Sequence, residues 1–380
     1  FEAFYLDGEE RDRARAFVQS ATPGWRDFQV QSRDERCLDM SWATVRLSDN
    51  TTICIGQDIT ERKQAKQALK KRERYLKALV GVQRRLLASK VDESLYKEVL
   101  AILGEACEAS RIYVYENFTD ENGTRYGYEC AQWSSQDHYH LRPHTNGYFC
   151  YERCLGTELY NQLKQGEFLQ IKTSDLPAEI QPFFWEQPIF SFLMIPLMVN
   201  GEFFGVIGFD NCEAGATWGR LEVGLLSSAA AAIALAKERQ FTQETLQQQL
   251  TAIETTTDGI MIIHAGGKIH YVNPAYCQML GYESPSALLG TQWSFHHPHE
   301  ERGRIQEEIL PHLESQSCWS GEVSAQRKDG STFIQELSMN LTQNREIVGV
   351  CRDISDRKEA EKQLKASLEE KELLLKEVHH

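Results

Sequence analysis

The sequence predicts an α+β chain of several domains, in which antiparallel sheets flanked by helices are joined by long helices. Three observations predict it. One strand-to-helix junction occurs twice, near the two ends: Ile55-Gly56-Gln57-Asp58-Ile59-Thr60-Glu61-Arg62-Lys63, then Ala65 and Leu69, matches Val350-Cys351-Arg352-Asp353-Ile354-Ser355-Asp356-Arg357-Lys358, then Ala360 and Leu364. Asn200-Gly201 between two apolar runs is a hairpin signal, since both residues tolerate positive φ. Leu69, Leu76, Leu79 and Leu86 recur at heptad steps, with charged residues on the other faces.

Size and composition set the bounds. At 380 residues the chain is longer than one domain of roughly 100 to 150, and 41% hydrophobic with 25% charged residues suits folded cores. A net charge of −14 without a basic patch excludes a general nucleic-acid binder, because phosphate contacts need a positive surface. Ten scattered cysteines read as reduced thiols, so this stretch is expected to be cytoplasmic. The most apolar run, Leu225 to Ala236, is too short for a membrane span and is followed by Lys237, Glu238 and Arg239, so it reads as a buried helix. No signal peptide precedes Phe1, and a parent protein could be membrane-anchored upstream.

The elements follow in order. In residues 1–60 the alternating stretch Cys37 to Val45 precedes the first junction, and Trp25 is placed against Trp319 of the second copy. In both junctions Asp, Ile and Thr or Ser read as a strand leaving its sheet for a helix N-cap with acidic residues in the first turn. A helical linker is expected over 61–90. A helix from Leu95 to Cys107 then leads into the strand Arg111 to Tyr115. Phe192 to Val199 and Phe203 to Phe209 flank the Asn-Gly turn, with Pro196 marking an edge or bulge, and a helix runs from Leu221 to Arg239. After a short helical linker, 241–252, come Thr257 to Ile263, the turn Gly266-Gly267, the strand Lys268 to Val272, the helix-starting Asn273-Pro274-Ala275 and Leu280-Gly281-Tyr282. Thr332 to Leu341 alternates before the second junction, and Ala360, Leu364, Ser367, Leu374 and Val378 form a last stripe interrupted by Lys371.

These motifs carry resemblances. Both junctions resemble the end of a PAS domain, where the last strand runs through Asp-Ile-Thr (the PAC motif) into a signalling helix. Residues 253–358 have the order of a whole PAS domain, whereas 1–60 resemble only the C-terminal part of one. Residues 91–240 resemble a GAF domain, on Ile195-Pro196-Leu197, Gly205 to Asp210 and the Trp218 to Leu225 approach to the last helix. The expectation is therefore PAS-like and GAF-like antiparallel sheets flanked by helices, joined by coiled-coil-like signalling helices. The heptad stripes are consistent with solvated linkers or with a parallel homodimer, and the dimer is preferred.

The last segment, 359–380, closes on Leu373-Leu374-Leu375-Lys376-Glu377-Val378-His379-His380. It resembles the start of the HisKA-type dimerisation and phosphoacceptor domain of one histidine kinase group, in which a similar Glu-Val-His-His run continues with arginine and an Asn-Asn pair. That resemblance makes His380 the candidate phosphoacceptor and His379 its less favoured neighbour, although two histidines could also end a linker helix by chance. A neutral imidazole is a nucleophile near neutral pH, and its phosphoryl group passes readily to an aspartate.

The other candidate sites are weaker. His140 with His144, and Cys150 with Cys154, have a helical-turn spacing that could supply a tetrahedral zinc site. Pro143, Asn146 and Gly147 instead make this stretch a loop, and no metal is expected there. A bilin is disfavoured because neither Cys150 nor Cys154 precedes a histidine, and a flavin because no Asn-Cys-Arg-Phe segment follows Gly290. The cluster His296-His297-Pro298-His299 sits where many PAS domains carry a His-Pro-acidic helix start, which favours a structural role. A small-molecule ligand in GAF or PAS stays open.

The resemblances imply the sensory input and relay region of a two-component sensor histidine kinase, with ATP used only by the parent kinase and a response regulator as its partner. The alternatives are a non-catalytic ligand-binding and dimerisation module, or the input of a cyclic-dinucleotide synthase or phosphodiesterase, since fold alone does not select among them.

Overall fold

The computed structural model describes residues 8–20, 22–32, 34, 36–47, 51–139, 148–181, 184, 189–213 and 218–378, with the backbone alone described at 138, 370 and 372–378. The chain divides into two compact units, Phe1–Gln240 and Phe241–His380. No helix among the described residues is long and apolar enough to cross a membrane.

The first unit opens with α1 (Gly8–Ser20) and three antiparallel strands, β1 (Trp25–Gln31), β2 (Cys37–Arg46) and β3 (Thr52–Asp58). The core against this three-stranded sheet is small, with Ala14, Phe17 and Phe28 packed against Trp42. After β3 the chain enters α2 (Thr60–Ala88). The next sheet has six antiparallel strands, β4 (Arg111–Thr119), β5 (Arg125–Ser134), β6 (Tyr148–Cys150), β7 (Leu169–Lys172), β8 (Ser191–Val199) and β9 (Glu202–Asn211), in the order β6-β5-β4-β9-β8-β7. Asn200 and Gly201 take φ of 51° and 79°, the hairpin expected from the sequence. Pro196 faces Val206 of β9 on one side, while β7 reaches only Met194 on the other, so no ladder hydrogen bond is lost at its missing N–H.

Side chains alternate between the faces of this sheet. One face packs on α2, α3 (Glu93–Cys107) and the long helix α6 (Arg220–Thr255) through Ile112, Val114, Leu193, Ile195, Ile207 and Phe209. The other face meets α4 (Tyr151–Cys154) and α5 (Gly156–Lys164) through Tyr113, Tyr115, Phe192 and Met194. The apolar run of α6 is buried as expected, with Leu226, Ala229, Ala230 and Ile233 against the sheet.

Two expectations are corrected here. Helix α2 is not a linker throughout, because Tyr75, Ala78, Val82 and Leu86 lie in the core of the six-stranded unit. Leu79 also packs against that core, so the seam expected to include Leu79 and Leu86 turns inward, and the exposed apolar residues are Leu69, Leu76, Val80 and Leu87. Residues 241–252 are helical and continue α6, which runs unbroken from Arg220 to Thr255.

The second unit has a five-stranded antiparallel sheet of β10 (Gly259–Ile263), β11 (Ile269–Val272), β12 (Cys318–Gln326), β13 (Thr332–Leu341) and β14 (Ile347–Asp353), in the order β11-β10-β14-β13-β12. The helices α7 (Pro274–Leu280), α8 (His299–Arg304) and α9 (Leu310–Gln316) accompany it, and α10 (Ser355–Val378) leaves it. Met261, Tyr276, Leu288, Trp293, Leu313, Leu337 and Met339 are among its core.

The repeat extends to the cross-strand register. Asp58 faces Met40 as Asp353 faces Gln335, and Trp25 faces Ala43 as Ser320 faces Ser338. The offset that carries Asp58 to Asp353 therefore takes Trp25 to Ser320, which corrects the pairing of Trp25 with Trp319 by one residue. The N-terminal copy has no counterpart of β10 and β11 among the described residues, and its β3 is an edge strand with Ile53 and Ile55 exposed.

Candidate functional site

The strongest constellation lies where the second unit receives one helix and sends out another. Asn273 is the N-cap of α7 and is fully buried. Its Oδ1 accepts hydrogen bonds from the Tyr276 and Ile260 amides at 3.0 and 2.8 Å. Its Nδ2 donates to the Ile253 and Asp258 carbonyls at 3.0 and 2.9 Å. One amide thus ties the last turns of α6, the start of β10 and the start of α7, with both of its own polar atoms hydrogen-bonded.

The outgoing junction is built on Asp353. Its Oδ1 accepts from the Ser355 amide at 2.9 Å and its Oδ2 from Arg327 Nη2 at 2.6 Å. Burial works against the charged carboxylate, but these hydrogen bonds prevail and hold its pKa below the ordinary value. Ile354 is buried, its amide donates to the Ile334 carbonyl at 3.0 Å, and the Ile334 amide donates back to Ser355 Oγ at 3.3 Å. Lys358 Nζ, one turn into α10, pairs with Glu322 at 2.7 Å.

A fork connects the two junctions. Arg352 Nε and Nη2 donate to the two carboxylate oxygens of Asp258, each at 2.7 Å, and these bonds hold the Asp258 carboxyl below its ordinary pKa. Asp258 lies between α6 and β10, and Arg352 immediately precedes Asp353. A change in the position of the incoming helix therefore has a short path of polar contacts to the outgoing one.

The N-terminal copy reproduces the outgoing half. Asp58 Oδ1 accepts from the Thr60 amide at 2.8 Å, the Ile59 amide donates to the Asp39 carbonyl at 2.9 Å, and Lys63 pairs with Asp27 and Asp39 at 3.2 and 3.1 Å. Lys63 on Asp27 is the counterpart of Lys358 on Glu322. At the position of Arg352 this copy carries Gln57. Comparing the two motif copies could have singled out Arg352, yet nothing local to it named Asp258 as its partner.

The interiors were the other candidates for binding. On the α4/α5 side of the six-stranded sheet, Tyr113, Tyr115, Phe149, Tyr151, Tyr160 and Phe192 fill the space with aromatic rings. A buried ion pair closes one end. Arg111 Nε and Nη2 reach Asp210 Oδ2 at 2.9 and 2.6 Å, and Arg111 Nη1 donates to the Tyr139 carbonyl at 3.0 Å. In the five-stranded unit Gln335 faces the core, 1% exposed, and its Oε1 has no hydrogen-bond partner among the described residues. His297 is buried there with Nδ1 2.8 Å from the Ser324 carbonyl, and burial pushes its pKa down to about 4, so it is a neutral core residue. His296 is also buried, 3.4 Å from Thr291 Oγ1.

A polar groove of about 480 Å³ opens beside α6, lined in part by Asp92, Tyr96, Glu116, Glu129 and Lys237. Lys237 is buried to 8% exposure, pairs with Glu116 at 2.6 Å and lies over the Tyr96 and Phe204 rings. No sequence signal marked this residue beyond its place after the apolar run.

Of the candidate residues read from the sequence, His140, His144, His379 and His380 lie outside the described residues. Cys150 ends β6 half-buried and Cys154 ends α4 buried, its thiol pushed up to about 12 mainly by burial. A thiol so buried stays protonated near neutral pH and is a poor nucleophile. Among the described residues, Cys150 and Cys154 have no third His, Cys, Asp or Glu placed to share an ion with them.

Comparison with known proteins places these units. Residues 93–236 match the family model of the GAF domain, and residues 257–356 match that of a PAS domain. The chain is 30% identical over 226 residues to the methanogenesis regulatory histidine kinase FilI of Methanothrix harundinacea, covering 57% of this chain and 25% of that protein. It spans about a quarter of the length of the curated relatives it matches. A crystal structure of a PAS domain from Colwellia psychrerythraea is 25% identical and aligns over 30% of this chain and 98% of its own, with a TM-score of 0.28. A phycocyanobilin-bound GAF domain from a cyanobacterial phytochrome is 12% identical over 44% of this chain and 96% of its own, with a TM-score of 0.39.

Proposed function

We propose that this chain, which carries a GAF domain and a PAS domain, is the sensory input and relay region of a two-component histidine kinase. The observation that carries the proposal is the polar path from Asn273 and Asp258 to Arg352 and Asp353, because it links the helix arriving from the GAF domain to the helix leaving the PAS domain. A ligand in either domain acts by favouring one setting of these helices over another, and only its differential affinity for the two settings can shift them. The similarity to a protein named as a regulatory histidine kinase supports the output class.

In this reading α10 delivers His380 to a kinase ATP-binding domain, with His379 as a bystander, and the phosphoryl group then passes to an aspartate of a response regulator. The helices pair in parallel across a homodimer, for which the exposed apolar stripe of α2 supplies a seam.

The test is phosphorylation in trans. The chain incubated with labelled ATP and a histidine kinase catalytic domain takes up label, His380→Gln abolishes it and His379→Gln keeps most of it. Label taken up without the added domain, or retained by His380→Gln, removes the relay role assigned to this residue.

A further inference from the structure

At the far end of the PAS sheet, the end of β10, a bulge in β11 and the start of β14 each bring a metal-ligating side chain to the outer face. Ile263, the last residue of β10, faces Ile347, the first of β14, and both are buried. The residues one step outward, His264 and Glu346, therefore fall on the opposite face. The third comes from a bulge. The register of β10 on β11 passes from Ile262↔Tyr271 to Ile263↔Ile269, which leaves His270 as the extra residue, and a bulge of this kind re-aims a side chain.

The three side chains converge. His264 Nδ1 lies 2.9 Å from Glu346 Oε1, the two imidazole rings are 4.4 Å apart, and one ligand atom from each residue lies within 4.8 Å of the others. A tetrahedral zinc with bonds of about 2.0–2.1 Å holds its donors about 3.3 Å apart, so a small side-chain rotation brings all three into range. The backbone at His264 is fixed by the turn that follows it, since the His264 amide donates to the Lys268 carbonyl and the Gly267 amide to the His264 carbonyl. A hydrogen bond with a packed ring would account for two of the residues at a time, but not for three ligands of compatible type meeting from two strand ends and a bulge.

We propose that His264, His270 and Glu346 form a surface site for a divalent first-row transition-metal ion, represented by Zn2+, with two imidazole nitrogens, one carboxylate oxygen and water completing the shell. Two nitrogen donors select against Mg2+ and Ca2+, which take oxygen shells. The ion joins β10 to β14, the same pair whose other ends carry Asp258 and Arg352. Its binding therefore clamps the strands that connect the incoming and outgoing helices.

The experiment is equilibrium dialysis of the whole chain against low-micromolar Zn2+, with bound metal counted by mass spectrometry. His264→Ala and His270→Ala should each bind one equivalent fewer than the parent chain, Glu346→Gln should bind that equivalent more weakly, and Cys150→Ser/Cys154→Ser should keep it. Unchanged stoichiometry in either histidine variant overturns the site. A measurement on the unsubstituted chain guards against variants that misfold: Zn2+ should slow amide hydrogen exchange over residues 263–270 and 342–348, and unaltered exchange there also overturns it.

Discussion

His297 shows how one side chain sets a pH limit on the PAS domain. Its ring is packed edge-on against Trp293 and held by the Ser324 carbonyl, and burial lowers its pKa from 6.5 to about 4. Below pH 6.5 the unfolded chain takes up a proton that the folded chain refuses. The stability from this residue is thus present above 6.5 and is lost progressively as the pH falls towards 4. Between pH 7.5 and 5 linkage gives a loss of about 2 kcal/mol. His297→Phe lowers stability at every pH by orphaning the Ser324 carbonyl, but it should remove this slope. Urea unfolding of the two chains at both pH values measures it, and an equal pH dependence in parent and variant refutes the assignment. Asn273 acts at the same scale by joining segments rather than by titrating. Its capping role was legible from Asn273-Pro274-Ala275, whereas its bond to Ile253 was not, because a hydrogen bond across 20 residues leaves no mark on either segment.

At the scale of elements, burial separates what a local pattern can say from what it cannot. The two Asp-Ile junctions and the Asn200-Gly201 hairpin were legible because each is made by residues adjacent in sequence. The leucine stripe of α2 was legible as a heptad, but the choice of face was not: Leu79 and Leu86 turn to the GAF core while Val80 and Leu87 stay outside, and only the tertiary partner decides between them. The Asp258–Arg352 fork spans 94 residues and was invisible for the same reason. Close packing also sorts the glycines by element. A Cβ on Gly205 in β9 would collide with the Tyr115 carbonyl oxygen of β4, whereas one on Gly224 in α6 would meet nothing within 4 Å. Gly205→Ala should therefore destabilise the GAF domain by about 1–3 kcal/mol through overpacking. Gly224→Ala should stabilise it by about 0.5–1 kcal/mol through helix propensity and lost unfolded-state freedom. Thermal unfolding of both variants gives the two signs, and a stabilised Gly205→Ala would contradict the β4–β9 approach.

At the scale of the whole molecule, the relay and parallel homodimer proposed above predict which residues of two copies meet. Leu69, Leu76, Val80 and Leu87 stand 67%, 51%, 63% and 71% exposed at steps of seven, four and seven, a heptad stripe on the side of α2 away from the GAF core. In water such a stripe gains by pairing with its like, because each apolar side chain buried contributes roughly 1.5–3 kcal/mol. A parallel pair sets each residue against its own copy, so position 76 meets 76 and 80 meets 80. An antiparallel pair does not. With the exposed cysteines Cys37, Cys54 and Cys318 changed to serine, Leu76→Cys and Val80→Cys should each form a disulfide-linked dimer under mild oxidation. Gln64→Cys, on the opposite side of the helix, should not. Cross-linking at Gln64 with none at 76 or 80 would reject the seam, and a chain that sediments as a monomer at tens of micromolar would reject the dimer itself.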